Sequence, residues 1–459
     1  MRVLFATAEL APLVKVGGLA DFSAGLVGAL RSQGIHVDVV LPDYGGLPIE
    51  PTEEHQLSVP EWAGPATVRQ GTLEGFDVSL VTLPEMARPN PYLDGDGRAW
   101  PDNDRRFLAF STAIAAWAET TSPDVLHLND WHTGATLGLA DSPPPSVLTI
   151  HNLAYQGTTT DDWLKSFKRR PDAYHWNGSV NPLAGAIALA NRVVTVSPRF
   201  ATESLQPETS FGLSVPLRAR GDAFSGILNG IDTDVWDPAT DPHLGLHYDM
   251  NTTGRKRELG RLLVEELGWE ANSEPLIGMV TRLTDQKGVD IALETVSVLE
   301  DMGARMVLLG SGERALADAA RQTEGRFGDR FVFKDGYDEA LAHRIFGGSD
   351  LYLMPSRFEP SGLTQMQAMR YGTIPVVTNV GGLHDTVIDA GDFPDEGTGF
   401  VAAEVTVPAL VDALARAVRA VGSSRSREAI SRQGMSRDWS WQAPASLYSD
   451  LYAEISSAR

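Results

Sequence analysis

The chain has 459 residues, 42% hydrophobic and 21% charged, with 44 Gly and 28 Pro. That is a globular composition of two or three domains, which excludes a coiled coil, a collagen-like repeat and general disorder. Cysteine is absent, removing disulfides, thiolate nucleophiles, thiolate zinc sites and iron–sulfur clusters, and a net charge of −22 sets the surface against nucleic acid and anionic lipid, so neither is expected as a partner.

Residues 2–8 read as a buried strand, and Glu9 breaks the apolar run too early for a signal peptide. A glycine-bearing turn and a helix over 21–32 follow, then a strand over 37–41. Residues 124–128, 146–150 and 192–196 are further buried strands. The stretch 183–196 is the longest apolar one, but it contains Asn191 and Arg192 and is too short to span a bilayer. No membrane partner and a cytoplasmic location are expected. The rhythm restarts with strands over 276–280, 305–309, 331–333, 351–354, 374–377 and 400–401, separated by helices. Alternating strands and helices predict the α/β class, with two doubly wound, Rossmann-like units. The first is expected over residues 1–240 and the second over 250–439, joined through the Asp/Pro-rich stretch 232–242. Open parallel sheets bind ligands beyond the carboxyl ends of their strands, so the two are expected to face a common cleft.

The loops at those ends carry the polar residues. Lys15-Val-Gly17-Gly18-Leu-Ala-Asp21 joins the first strand to the first helix. Paired glycines admit a ligand to backbone N–H groups, and Asp21 is expected to cap the helix. Only six of the 38 basic residues are Lys, so a Lys beside that turn points to phosphate or sugar recognition; read structurally, the same residues are a tight turn before a capped helix. Arg282 and Lys287 lie in one turn after the strand 276–280, where two cations could neutralise a pyrophosphate without a metal; as a bare surface turn they would be solvated. Pro355-Ser-Arg-Phe-Glu359-Pro-Ser361-Gly362-Leu363-Thr364 offers backbone donors and a carboxylate for sugar hydroxyls. Two histidine-bearing loops, around Asp130 and around His151-Asn152, complete the set, although most histidines in a chain with ten are core or surface residues. No metal is expected: the chain has no H-E-x-x-H pattern, and Asp94-Gly-Asp96 reads as a turn. A nicotinamide oxidoreductase would need G-x-G-x-x-G after a strand, and none is so placed.

In order along the chain, Lys15-Val-Gly-Gly-Leu-Ala-Asp21, His151-Asn-Leu-Ala-Tyr-Gln-Gly157, Asn229-Gly-Ile-Asp232, Thr281-Arg-Leu-Thr-Asp-Gln-Lys-Gly288, Arg357-Phe-Glu-Pro-Ser-Gly-Leu-Thr364 and Gly381-Gly-Leu-His-Asp385 resemble the bacterial glycogen synthase and plant starch synthase family. The resemblance spans nearly the whole chain. It implies a retaining glycosyltransferase of the GT-B type that extends an α-1,4-glucan from ADP-glucose, with no cofactor and no metal. It implies that Lys15, Gly17, Gly18 and Asp21 meet the donor, that Arg282 and Lys287 hold the leaving diphosphate, and that Tyr337 stacks near adenine. Glu359 and the Ser361, Gly362, Leu363 and Thr364 backbone would bind glucose and phosphate. His151 would lie beside the anomeric carbon and Asp130 near the acceptor, with Asn152 and Asn229 among the substrate-binding residues. A final helix over 441–455 is expected to return to the first unit. Two positions depart from the wider pattern: Ser361 stands where many bacterial members have Cys, and Gln367 replaces the second Glu of E-x7-E. Beside this reading stand a synthase with another nucleotide-glucose donor or another acceptor and, more remotely, a non-catalytic glycan-binding relative, which would be expected to lose Lys15, Arg282, Lys287 or Glu359.

Overall fold

The computed structural model describes residues 1–457. The chain forms two compact units, one of residues 1–230 together with the stretch from Trp441 onward, the other Ile231–Ser440. The stretch 232–242, expected as a connection, instead belongs to the second unit. Asp241 is buried there and accepts hydrogen bonds from His343 Nδ1 at 2.7 Å and from the Tyr371 hydroxyl. Trp236 stacks on the His343 ring, 4.1 Å between centroids. Asp232, Asp234, Val235, Ala239, Thr240 and Pro242 are exposed, so the stretch runs over the surface of this unit and is pinned to it by Asp241 and Trp236.

The first unit is built on β1 (Arg2–Ala6), β2 (His36–Pro42), β3 (Glu53–Leu57), β4 (Ala66–Leu73), β5 (Phe76–Thr82), β6 (Val125–Asn129) and β7 (Ser146–Ile150), with the short hairpin β8 (His175–Trp176) and β9 (Ser179–Val180) apart from the main sheet, then β10 (Arg192–Thr195) and β11 (Phe224–Gly226). The nine-stranded sheet runs β11-β10-β7-β6-β1-β2-β5-β4-β3. Its centre is parallel, with β1 hydrogen-bonded to both β2 and β6; β3, β4 and β5 form an antiparallel meander at one edge. Central strands such as β6 and β7 are buried at every position, as expected for a sheet covered on both faces. Helix α1 (Gly18–Ser32) packs its Phe22, Leu26 and Leu30 side on this core. The return helix Gln442–Ser457 lies against α1 so closely that a Cβ on Gly25 would sit 1.9 Å from the Trp441 indole. Tyr448 and Tyr452 from the same helix are fully buried, and the Tyr452 hydroxyl is 2.6 Å from His127 Nδ1.

The second unit has β12 (Leu276–Val280), β13 (Arg305–Gly310), β14 (Phe331–Asp335), β15 (Leu351–Met354), β16 (Ile374–Thr378) and β17 (Phe400–Ala402), all parallel in the order β14-β13-β12-β15-β16-β17. These are the six strands expected from sequence, and the α/β class with two parallel-sheet units is as anticipated. The helical segment that follows β12 is broken into Val289–Thr295, a 3-10 turn and Leu299–Met302. Each sheet reverses its winding at a single place, between β1 and β6 in the first unit and between β12 and β15 in the second. Ligand crevices of open α/β sheets form at such switch points. No helix among the described residues is long and apolar enough to cross a membrane.

Candidate active site

The loops after β12 and β15 bring Arg282, Lys287, Glu359 and Thr364 to the second switch point. Gly288 makes this possible: it has φ +62°, and a Cβ there would lie 2.0 Å from the Pro355 carbonyl oxygen, so only glycine lets the two loops touch. Lys287 Nζ donates to Glu359 Oε2 at 2.5 Å, and the Ser356 hydroxyl donates to the same oxygen at 3.0 Å. The pair is largely buried, Lys287 with 18% and Glu359 with 6% of its side chain exposed. Arg282 makes no ion pair among the described residues. It lines, with Lys287, Met354, Ser356 and Thr364, a cavity of about 150 Å³. Arg357 next to this site is held away from it by a two-pronged bond to Asp290. The Ser361–Thr364 stretch is fastened from behind: Gln365 Nε2 donates to the carbonyls of Ser361 and Gly362, both at 3.1 Å, and Gly362 has φ +68°. Leu363 immediately precedes the helix Thr364–Arg370. Tyr337 is 74% exposed; it follows β14, which β13 separates from β12, so it stands apart from the other candidates in the sheet.

At the first switch point, the loop after β1 carries Lys15, Gly17, Gly18 and Asp21, and the loops after β6 and β7 carry Asp130, His151 and Asn152. Gly17 is the residue preceding α1, and Gly18 opens it. Asp21, expected as the cap, lies instead within the first turn, where it pairs with Lys15 at 2.8 Å. The unexpected residue is Glu9. Buried at the end of the β1 exit, it accepts the N–H groups of Val16 and Gly17 on Oε2 at 2.7 and 2.8 Å and the Tyr92 hydroxyl on Oε1 at 2.8 Å. The glycine turn is thus shaped by an internal carboxylate, and the Gly17 N–H is already engaged.

Asp130 has φ +54°, a left-handed conformation that costs a non-glycine residue energy and clusters at functional sites. Its Oδ1 accepts the His151 N–H at 2.7 Å. Burial pushes the Asp130 carboxyl up to about 7, with the charge of Glu9 adding to the rise and the N–H groups of His151 and Asn152 opposing it. Burial also pushes the His151, His127 and His132 imidazoles down to about 3. His127 belongs to the core beneath the return helix, and His132 is packed among Tyr92, Phe107 and Trp131. Asn152 spends its side-chain oxygen on the Ala154 N–H in a local turn. Asn229 follows β11 and is buried, its Oδ1 without a hydrogen-bond partner among the described residues. Asp94 closes the turn read from sequence, accepting the N–H groups of Asp96 and Arg98. Glu9, Tyr92 and Asn129 were not singled out as site residues by sequence; a carboxylate directly after a buried strand was the available signal for the first.

Two parallel-sheet units, each with polar groups at its switch point and neither with a dinucleotide fingerprint, have the architecture of a two-unit glycosyltransferase. In agreement, residues 2–219 match the family described as starch synthase catalytic domain, and residues 268–436 match glycosyl transferases group 1. Over 483 residues the chain is 39% identical to a glycogen synthase of Thioalkalivibrio sulfidiphilus, and over 480 residues 37% identical to glycogen synthase 2 of Bradyrhizobium diazoefficiens. These alignments cover 100% of this chain and 100% and 99% of the relatives. Among solved structures, the catalytic domain of starch synthase IV from Arabidopsis thaliana, bound to ADP and acarbose, superposes with a TM-score of 0.88 at 33% identity, covering 99% of both chains. The chain belongs to the glycogen synthase and starch synthase family.

Proposed function

We propose that the protein transfers the glucosyl group of ADP-glucose to the non-reducing end of an α-1,4-glucan with retention, releasing ADP, in the cytoplasm, which a cysteine-free chain suits. The bond from the anomeric carbon to the diphosphate oxygen breaks, a bond from that carbon to an acceptor hydroxyl forms, and the hydroxyl proton leaves with the phosphate or to solvent. The observation that carries this reading is the charge arrangement at the second switch point. Arg282 and Lys287 border one small cavity, and only Lys287 is committed to a carboxylate. As the donor bond breaks, negative charge grows on the diphosphate, and fixed cations stabilise it more in the transition state than in the ground state. Glu359, already oriented by Lys287 and Ser356, is suited to accept hydrogen bonds from sugar hydroxyls. On this reading Lys15, Arg282 and Lys287 supply the positive charge and no metal is used. Asp130, in the first unit, would meet the acceptor, and the exposed Tyr337 ring would stack on adenine.

A donor screen tests it: purified protein, a glycogen primer, and radiolabelled ADP-, UDP- or GDP-glucose. Incorporation from ADP-glucose far above the others is expected. Incorporation only from UDP- or GDP-glucose would replace the donor, and transfer to none would overturn the reading.

A further inference from the structure

The reaction above makes no use of Asn129, yet its side chain is completely buried at the end of β6, one residue before Asp130. Asn129 Nδ2 donates to the Ala6 carbonyl on the neighbouring strand β1 at 3.0 Å. A backbone carbonyl only accepts, so the amide cannot be turned round. Its oxygen therefore faces His151 Nε2 across 3.0 Å. An amide oxygen also only accepts, which leaves Nε2 as the donor. The imidazole is further fixed by the edge of Phe22, with ring centroids 4.3 Å apart, and its backbone by the bond from the His151 N–H to Asp130. Burial keeps the ring neutral at working pH. With the single proton on Nε2, Nδ1 carries a lone pair, and it has no protein partner among the described residues.

We propose that Asn129 is a positioning residue that holds His151 in its Nε2–H tautomer, so that the ring presents an acceptor nitrogen, and not a proton, to a hydroxyl of the bound sugar. A nitrogen in this state cannot protonate a leaving group. The sugar contact rests on the function proposed above; the tautomer does not.

The test is a long-range proton–nitrogen correlation spectrum of the free protein labelled at histidine, with His151 assigned by its loss in His151→Ala. At pH 7, Nε2 should show the shift of a protonated ring nitrogen and Nδ1 that of a bare one. The reverse pattern, or the paired shifts of an imidazolium, overturns the proposal. In Asn129→Ala the two signals should move towards each other, and kcat should fall about tenfold, the worth of one oriented hydrogen bond, with KM for the glucan unchanged. Asn129→Ala spectra identical to wild type would refute the role. If the alanine variant does not fold, the wild-type spectrum still decides. Wild-type protein with this tautomer but without transfer from ADP-glucose would remove the proposed function and leave Asn129 its role; transfer with the opposite tautomer would do the converse.

Discussion

Lys287→Ala should damage rate and stability by separate routes that a second substitution can tell apart. The ammonium lies 2.5 Å from a Glu359 oxygen whose side chain is 6% exposed. Without it, that carboxylate keeps one hydroxyl donor, Ser356. Breaking a buried pair by removing one partner costs about 3–5 kcal/mol. The 18% exposure of Lys287 lets water reach the gap and puts the expected loss near the lower end, ~3 kcal/mol. The rate loses a preorganised charge as well, worth about 2.7–4 kcal/mol, or roughly a hundred- to a thousandfold. Adding Glu359→Gln removes the stranded charge, so the double variant should regain most of the stability and none of the turnover. Urea unfolding followed by circular dichroism gives the first quantity, and initial rates of ADP release with ADP-glucose and glycogen the second. Turnover within tenfold of wild type in a folded Lys287→Ala protein would refute the catalytic argument; failure of Glu359→Gln to restore stability would refute the electrostatic one.

Arg282→Ala should lower kcat by a similar factor of roughly a hundred to a thousand, yet shift the unfolding midpoint little, by about 0.5 kcal/mol or less, because it breaks no ion pair among the described residues; a large loss of stability would assign it a structural role. Initial rates should survive excess EDTA, and loss of activity reversed by Mg²⁺ or Mn²⁺ would show a metal step. The Asp130 carboxyl is raised from an ordinary 3.8 to about 7 by burial, so the folded state holds its proton more tightly than the unfolded chain. Its contribution to stability is full below about pH 4 and is lost as pH rises to about 7; Asp130→Asn should therefore gain stability relative to wild type across that interval, and an unchanged difference would contradict the buried placement. The histidines work the other way. His127, His132 and His151 are lowered to about 3 by burial, so their contribution is present above pH 6.5 and is lost on acidification towards 3, which a urea midpoint falling below pH 6.5 would register.

The second unit was legible almost strand for strand because its sheet is wholly parallel and buried, and each strand is a short apolar run with a helix after it. The first unit was legible only at its parallel centre. The meander β3–β4–β5 escaped notice: Glu53-Glu-His-Gln-Leu57 is a polar edge strand, and Gly71 interrupts the next one. The clue present was Glu74-Gly75, a two-residue hairpin turn with φ of +48° and +80°. In the site, charged residues in glycine-bearing loops stood out because their surroundings are chemically sparse. Glu9 and Asn129 did not, since their function comes from partners at distant positions: a carboxylate facing Val16 and Gly17, and an amide between Ala6 and His151. Composition carries no record of such orientation.

The first unit is discontinuous in the chain, and this bears on how the protein is made. Its sheet begins at residue 2, but the indole that fills the space over Gly25 and the two tyrosines around His127 are synthesised more than 200 residues after β11. A nascent chain therefore holds an apolar furrow along α1 that no local sequence can fill, while the second unit, continuous from Ile231 to Ser440, has all of its contacts as soon as it leaves the ribosome. Segments that close over such separations form late and leave their partner surface exposed to aggregation meanwhile. Trp441, Tyr448 and Tyr452 act as the latch of the first unit, and deleting residues 441–457 should strand that unit as a collapsed, poorly soluble intermediate even though every loop of its candidate site is present.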